Sequence, residues 1–152
     1  MLNNRNLNFP VAEINLVLHA TEDSEKVLRA IREVLEVGTD CFQSAFSEGH
    51  HKNRILFLKA FLSSHEAARL ASRIASLLNS DEREHLLRSI HEYSDEKGNL
   101  YLRLDKQKLC HGVVSISETD AIRIKFKHDK RFYKPSTDTE SLRYLFESDL
   151  SN

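Results

Sequence analysis

Two short segments alternate apolar residues with residues that bind anions. Residues 122–128 are Ile-Arg-Ile-Lys-Phe-Lys-His, and residues 100–107 are Leu-Tyr-Leu-Arg-Leu-Asp-Lys-Gln. A period of two is typical of a β-strand that is buried on one face and exposed on the other. If the two strands share a sheet, their exposed faces form a cationic surface with one aromatic ring, which suits phosphates and a stacked base. The same alternation also occurs on solvated strands that bind no ligand.

These two segments supply the predicted nucleic-acid-binding residues. Arg103 and Arg123 come first, because a guanidinium binds a phosphate through two hydrogen bonds and also stacks on a base, whereas lysine contributes a point charge. Asp105 either orients a neighbouring cation or caps a short helix at residues 106–111, and we favour capping. The full set of predicted binding residues is Tyr101, Arg103, Lys106, Lys108, Arg123, Lys125 and Lys127.

The basic residues are concentrated in one part of the chain. The whole sequence has a net charge of -1, which is unlike that of proteins that bind nucleic acid through bulk charge. Residues 97–134 nevertheless contain ten lysines and arginines against four acidic residues, a local charge of +6, and the remainder carries -7. Such an asymmetry steers an anionic partner to one surface.

The length of 152 residues predicts one domain. We place a single α+β domain at residues 9–128 and a C-terminal extension with a short helix at residues 129–152. The apolar runs are far shorter than the roughly 20 residues that a membrane-spanning helix needs, so no membrane is expected as a partner. Two cysteines without a CxxC motif, and an N-terminus without a leader pattern, favour a reducing, cytoplasmic location.

Hydrophobic periodicity predicts the element order β-α-β-β-α-α-β-β-β. Strands are expected at residues 13–19, 41–46, 55–62, 100–104, 113–116 and 122–128, with 55–62 central because it is apolar on both faces except for Lys59. Helices are expected at residues 64–78 and 81–91, and a first helix is expected to begin after a Thr21 cap and to stop at Gly38. We expect the helices to cover the sheet face that carries Leu100, Leu102, Leu104, Ile122, Ile124 and Phe126.

Three segments resemble a small archaeal family described as RNA-binding and, for some members, as exosome-associated. They are residues 19–27 (His-Ala-Thr-Glu-Asp-Ser-Glu-Lys-Val), Gly49-His50 with Asn53, and above all residues 100–107. The resemblance covers residues 11–127, and it implies RNA as the partner. It also implies an α+β fold similar to that of the ribosomal protein that binds 5S ribosomal RNA, a two-layer sandwich with one mixed or antiparallel sheet and helices packed on one face. Relatives tend to have Gly and Pro where this chain has Lys52 and Arg54, and the tail after His128 extends beyond the usual end.

The sequence carries no pattern typical of an enzyme, a metal site or a cofactor site. The eight histidines lack HExxH or Cys/His spacing, and the four glycines are scattered rather than gathered in a phosphate loop. We therefore expect no catalysis, no metal and no cofactor.

Two functions from different classes remain. The first is an RNA-binding module that recognises backbone and shape through the basic sheet face, as an accessory to an RNA-processing or ribosomal assembly and in contact with its proteins. The second is a non-catalytic protein-interaction or scaffolding domain, including a homodimer, that docks through an exposed sheet edge or an apolar tail. The apolar residues of that tail are Phe132, Tyr133, Leu142, Tyr144, Leu145 and Phe146.

Overall fold

In residues 11–48 and 54–127, which the computed structural model describes, five strands form one sheet. Their order across the sheet is β2-β3-β1-β5-β4, and every neighbouring pair is antiparallel. The first strand along the chain therefore lies at the centre, between β3 and β5. The strands are β1 (Val11–His19), β2 (Phe42–Glu48), β3 (Arg54–Ser63), β4 (Leu100–Asp105) and β5 (Ala121–Lys127).

Each of the four α-helices in the described ranges begins at a side chain that caps its first turn. Asp23, Asn79 and Asp105 each accept a hydrogen bond from a backbone amide three residues later, and Ser63 forms a reciprocal capping box with Glu66. These bonds satisfy amides that the helix itself leaves unpaired. The helices are α1 (Ser24–Val34), α2 (Ser64–Leu77), α3 (Ser80–Arg88) and α4 (Lys106–Cys110), with short 3₁₀ turns at Thr39–Cys41 and Ile90–Tyr93.

The apolar core lies between the helices and one face of the sheet. The predicted inward residues of β4 and β5 are all at most 1% exposed, and alternate residues of β1 join them. From α2, Leu70 and Ile74 pack into the same cluster. The structure therefore confirms an α+β two-layer sandwich with helices on one face of the sheet, and the sheet is wholly antiparallel among the described strands.

Several expectations for individual elements were wrong. β3 lies inside the sheet, between β2 and β1, as expected, but it is not covered on both faces, because Phe57 and Phe61 are 45% and 49% exposed. Residues 113–116 form no strand and contribute only an isolated bridge between Ile116 and Leu104, whereas the short helix that we favoured after Asp105 is confirmed as α4. The first helix is capped by Asp23 and not by Thr21.

The predictions for the loop at residues 49–53 and for the extension at residues 129–152 lie outside the described residues. Within the described part, no helix is both long and apolar enough to cross a membrane.

Candidate nucleic-acid interface

The candidate interface is the sheet face opposite the helices, which we call the open face. Side chains reach it from alternate positions of every strand, because successive residues of a strand point to opposite faces. Its principal members are Gln43 and Ala45 on β2, Phe57, Lys59 and Phe61 on β3, Glu13, Asn15 and Val17 on β1, Arg123, Lys125 and Lys127 on β5, and Tyr101, Arg103 and Asp105 on β4.

One row of side chains on the open face crosses all five strands, and we call it the polar row. Gln43 pairs with Lys59, Lys59 with Asn15, Asn15 with Arg123, and Arg123 with Arg103. Because neighbouring strands lie about 4.8 Å apart, the row is roughly 19 Å long. It contains three cations and two neutral amides, and no acid.

The two arginines of the polar row face each other across neighbouring strands. Like charges in directly opposite positions are unfavourable. Arg103 donates a hydrogen bond from Nη1 to the carbonyl oxygen of Glu118 at 3.3 Å, but this carbonyl carries no full charge. Arg123 has no hydrogen-bond or ion-pair partner within residues 11–48 and 54–127. An anion bound between the two guanidinium groups would remove their repulsion.

Two lysines of the open face lie over aromatic rings. Lys59 Nζ is 5.0 Å from the centroid of the Phe61 ring, and Lys125 Nζ is 5.4 Å from that of Tyr101. Tyr101 is held further by its hydroxyl, which donates to Asp95 Oδ2 at 2.9 Å. Burial acts to raise the pKa of Asp95, but hydrogen bonds from Asn99, Tyr101 and Lys97 together lower it, so this acceptor stays ionised. The interface therefore combines cations with fixed, exposed rings.

Both acids that the strands place on the open face are engaged. Lys127 Nζ lies 2.7 Å from Glu13 Oε1, and Asp105 accepts from the Lys108 amide as the cap of α4. The hydrogen bond from Lys127 lowers the pKa of the Glu13 carboxyl, against burial, which raises it. Much of the Lys127 charge is thus already compensated inside the protein.

We expect the substitution Glu13→Gln to raise RNA affinity and to lower stability slightly. It removes a carboxylate from the open face and frees Lys127, so affinity should rise by about threefold at low salt, the effect of a surface pair worth under ~1 kcal/mol. Because the Glu13 pKa is lower in the folded than in the unfolded state, the ion pair stabilises the fold above the ordinary glutamate pKa. This contribution disappears as the pH falls through the lowered pKa.

Binding titrations and urea unfolding near neutral pH and in acid measure both effects. The difference in the free energy of unfolding between the wild-type protein and Glu13→Gln should be present at neutral pH and should disappear in acid. Unchanged affinity would show that the pair does not compete with the ligand. A stability difference that persists in acid would show that it does not come from the ionised carboxylate.

The structure places two of the predicted site residues away from the open face. Lys106 is 1% exposed, and its Nζ donates to the Val17 carbonyl oxygen at 2.8 Å and to Asp120 Oδ1 at 2.9 Å, with Glu22 Oε1 at 3.0 Å. We therefore remove Lys106 from the candidate interface, since its charge is used inside the protein. Lys108 is exposed on α4 and not on a strand of the sheet.

The ion-pair cluster around Lys106 also accounts for the group of side chains with metal-ligand character in the described ranges. Ligand atoms of His19, Glu22 and Asp120 lie within 4.8 Å of one another. The Lys106 ammonium already contacts both carboxylates, so a cation of the protein itself balances part of their charge. Burial raises the pKa of the Cys41 and Cys110 thiols, which disfavours the reactive thiolate.

Sequence reasoning missed the contribution of β3 to the interface. Lys59 was treated as an exception in a strand that is apolar on both faces, and neither Phe57 nor Phe61 was included among the predicted binding residues. The signal was present in the alternation of residues 57–62, Phe-Leu-Lys-Ala-Phe-Leu, because Lys59 occupies the same face as both phenylalanines. Asn15 and Gln43 have no such signal, since their membership of the polar row depends on strand register alone.

The candidate interface lies within a segment that matches a known family. A family model described as RNA binding matches residues 12–128. The chain belongs to this RNA-binding family. A relative, RNA-binding protein PAB1135 from Pyrococcus abyssi, is 34% identical over 120 residues, which cover 75% of this chain and 78% of that protein. The expected RNA-binding family is therefore confirmed, whereas exosome association and a likeness to the ribosomal protein that binds 5S ribosomal RNA stay predictions.

Two solved structures have a similar fold over most of the chain. Protein AF2318 from Archaeglobus fulgidus shares 28% identity at a TM-score of 0.70, covering 90% of this chain and 97% of that chain. Mth689, a DUF54 protein from Methanothermobacter thermautotrophicus, shares 29% identity at a TM-score of 0.70 with the same coverage. The sandwich described above is thus shared by proteins from both of these organisms.

Proposed function

We propose that this chain is a non-catalytic RNA-binding module that holds RNA on the open face of its sheet. The observation that carries the proposal is the polar row, in which Lys59, Arg123 and Arg103 lie in one line across the sheet with no acid among them. Lysine and arginine side chains at neighbouring positions neutralise successive phosphates and release their counterions. Family membership and the name of the Pyrococcus relative support RNA as the anion.

The exposed aromatic rings distinguish this face from a simple anion-binding surface. Phe57, Phe61 and Tyr101 are between 41% and 49% exposed, and they interleave with the cations. Bases of RNA stack on such rings while the phosphates contact lysine and arginine. An accessory role in an RNA-processing assembly such as the exosome, or in a ribosomal assembly, stays a prediction from the family resemblance.

Titration of labelled RNA across a salt series tests the proposal. With three to five phosphates contacted, the logarithm of the binding constant should fall with the logarithm of the salt concentration with a slope of roughly -2 to -3.5, the value expected for single strands. Absence of binding even at low salt, or binding that does not respond to salt, would contradict it.

One observation favours protein interaction as a second candidate function. Phe46 on the edge strand β2 is 64% exposed, with the Arg54 guanidinium 5.0 Å from its ring centroid. An edge strand with an exposed aromatic side chain suits pairing with another chain. If the protein fails to bind RNA at low salt but self-associates in sedimentation experiments, and Phe46→Lys reduces the association, this second function would be preferred.

A further inference from the structure

A depression of about 600 Å³ lies on the open face between β2, β3, β1 and β5. Its walls include Asn15, Val17, Gln43, Phe57, Lys59 and Arg123, with Asp120 at the side. The volume falls within the range of roughly 300–1,000 Å³ that is typical of small-molecule sites. We propose that this depression holds one unpaired RNA base, stacked on Phe57, and that the protein therefore selects single-stranded over double-stranded RNA. This inference rests on the proposed function.

Phe57 differs from the other two exposed rings of the interface. Lysine side chains lie over Phe61 and Tyr101, at 5.0 and 5.4 Å, whereas no cation lies over Phe57 in the described part of the chain. Phe57 is nevertheless 45% exposed, and Val17 is its direct neighbour on β1. The wall of the depression therefore offers an uncovered aromatic face beside an aliphatic side chain, which is the surface that a base requires for stacking.

The polar groups of the depression are arranged around that ring. Asn15 and Gln43 flank Lys59 in the polar row, so two amides with both donor and acceptor groups border the depression. Lys59 is two residues from Phe57 on the same strand and face, a separation of roughly 7 Å. One nucleotide can bridge that distance, with its base on Phe57 and its phosphate on Lys59 or Arg123.

Asp120 is the group in the depression that would oppose an anion. Its Oδ1 lies 2.9 Å from Lys106 Nζ, so its negative charge is partly compensated by a buried ammonium, which also pairs with Glu22. The carboxylate is thereby held in an ion pair at the side of the depression and still has acceptor capacity for an exocyclic amine of a base.

A base in this depression must be unpaired. In a duplex its hydrogen-bonding edge is occupied and both of its faces are stacked, so entry requires unpairing and unstacking. A single strand can turn a base towards the sheet while its backbone follows the polar row. The depression does not admit a base that is paired in a duplex. This difference between single strand and duplex is the source of the proposed selectivity.

The test compares Phe57→Val with the control Phe46→Val, which changes an exposed ring on the opposite face of the sheet. Each protein is titrated with a single-stranded RNA that carries a fluorescent purine analogue and with its duplex. We expect Phe57→Val to weaken single-strand binding about tenfold and to remove the fluorescence quenching caused by stacking. Phe46→Val should change affinity less than twofold, Phe57→Tyr should restore both signals, and the duplex should bind the wild-type protein at least tenfold more weakly.

The possible outcomes separate this inference from the proposed function. If the wild-type protein binds neither RNA, the proposed function fails and the inference with it. If it binds single strand and duplex equally, or if Phe57→Val behaves like the wild-type protein, only the inference is overturned. Valine keeps the strand preference, and circular dichroism verifies that each variant is folded. Should Phe57→Val fail to fold, the quenching by wild-type protein and by Phe57→Tyr decides the question, since unquenched binding contradicts stacking.

Discussion

Replacement of Lys106 by methionine should lower the free energy of unfolding by about 3–5 kcal/mol, the usual effect of removing one partner from a buried ion pair. The Lys106 side chain is 1% exposed and that of Glu22 is 15% exposed, so the substitution leaves an almost buried carboxylate without its cation. The Asp120 side chain is 58% exposed, so removal of the ammonium costs less free energy there, because water can solvate the carboxylate. The Val17 carbonyl oxygen also loses its ammonium donor.

The cluster joins two residues near the start of the described chain, Val17 and Glu22, to two residues that follow more than 80 residues later, Lys106 and Asp120. Val17 lies near the end of β1, Glu22 precedes α1, Asp120 precedes β5, and Lys106 begins α4. Loss of the ammonium therefore weakens the attachment of several elements at once. We expect one cooperative transition at a lower urea midpoint, and not the separate melting of one helix.

Urea unfolding of Lys106→Met beside Lys108→Met measures this effect. Lys108 lies on the same short helix but is exposed, so its substitution should change stability by less than about 0.5 kcal/mol. A triple variant that adds Glu22→Gln and Asp120→Asn removes the uncompensated charges and should recover part of the loss. A loss below about 1 kcal/mol for Lys106→Met would show that the cluster is not a structural ion pair.

Reversal of Lys59 and Arg123 together should weaken RNA binding about 100-fold at low salt. The two residues flank Asn15 in the polar row, and each is expected to donate a charge-assisted hydrogen bond to a phosphate. With a net value of about 1.5 kcal/mol for each such bond, the loss of both corresponds to this factor. The salt slope should become shallower by about 0.7 unit for each contact removed, the value for single strands. Titrations of Lys59→Glu, Arg123→Glu over a salt series measure both quantities.

A control with the same change in net charge is Arg29→Glu, Arg88→Glu, which reverses two exposed arginines on α1 and α3. It should bind RNA within about threefold of the wild-type protein if the open face is the interface. The reversal at position 123 also places an acid opposite Arg103, which should favour folding. Equal loss of affinity in both double variants would show that binding depends on overall charge and not on this face.

Local patterns in the sequence were sufficient for most of the fold. The alternation of residues 100–104 and 122–126 predicted which side chains are buried, and Asp105 predicted where α4 begins. Residues 113–116 were assigned wrongly because a short run of β-branched residues favours a strand, whereas strand formation needs a partner of sufficient length. The exposure of one face of β3 depends on which face of the sheet the helices cover, and this is a property of the tertiary structure.

The candidate site was predictable only where it follows from alternation within one strand. Arg103, Arg123 and Lys125 lie on the open face as expected, since their neighbours in sequence are buried. Lys106 has the same residue type as the surface lysines, and its burial depends on acids that lie far away in the sequence. The polar row could not be predicted, because it is defined by the register of strands from distant parts of the chain.

The central position of β1 has a consequence for how the protein folds. β2 and β3 are close in sequence, and so are β4 and β5, but β1 joins these two halves by pairing with β3 in the middle of the described chain and with β5 at its end. Contacts between residues far apart in sequence carry the largest loop-closure entropy and slow the folding reaction. We expect the pairing of β1 with β5 to form late, so a partly folded chain carries the cations on two unconnected hairpins. Affinity for RNA should then appear only in the final stage of folding, when the central strand joins the two halves.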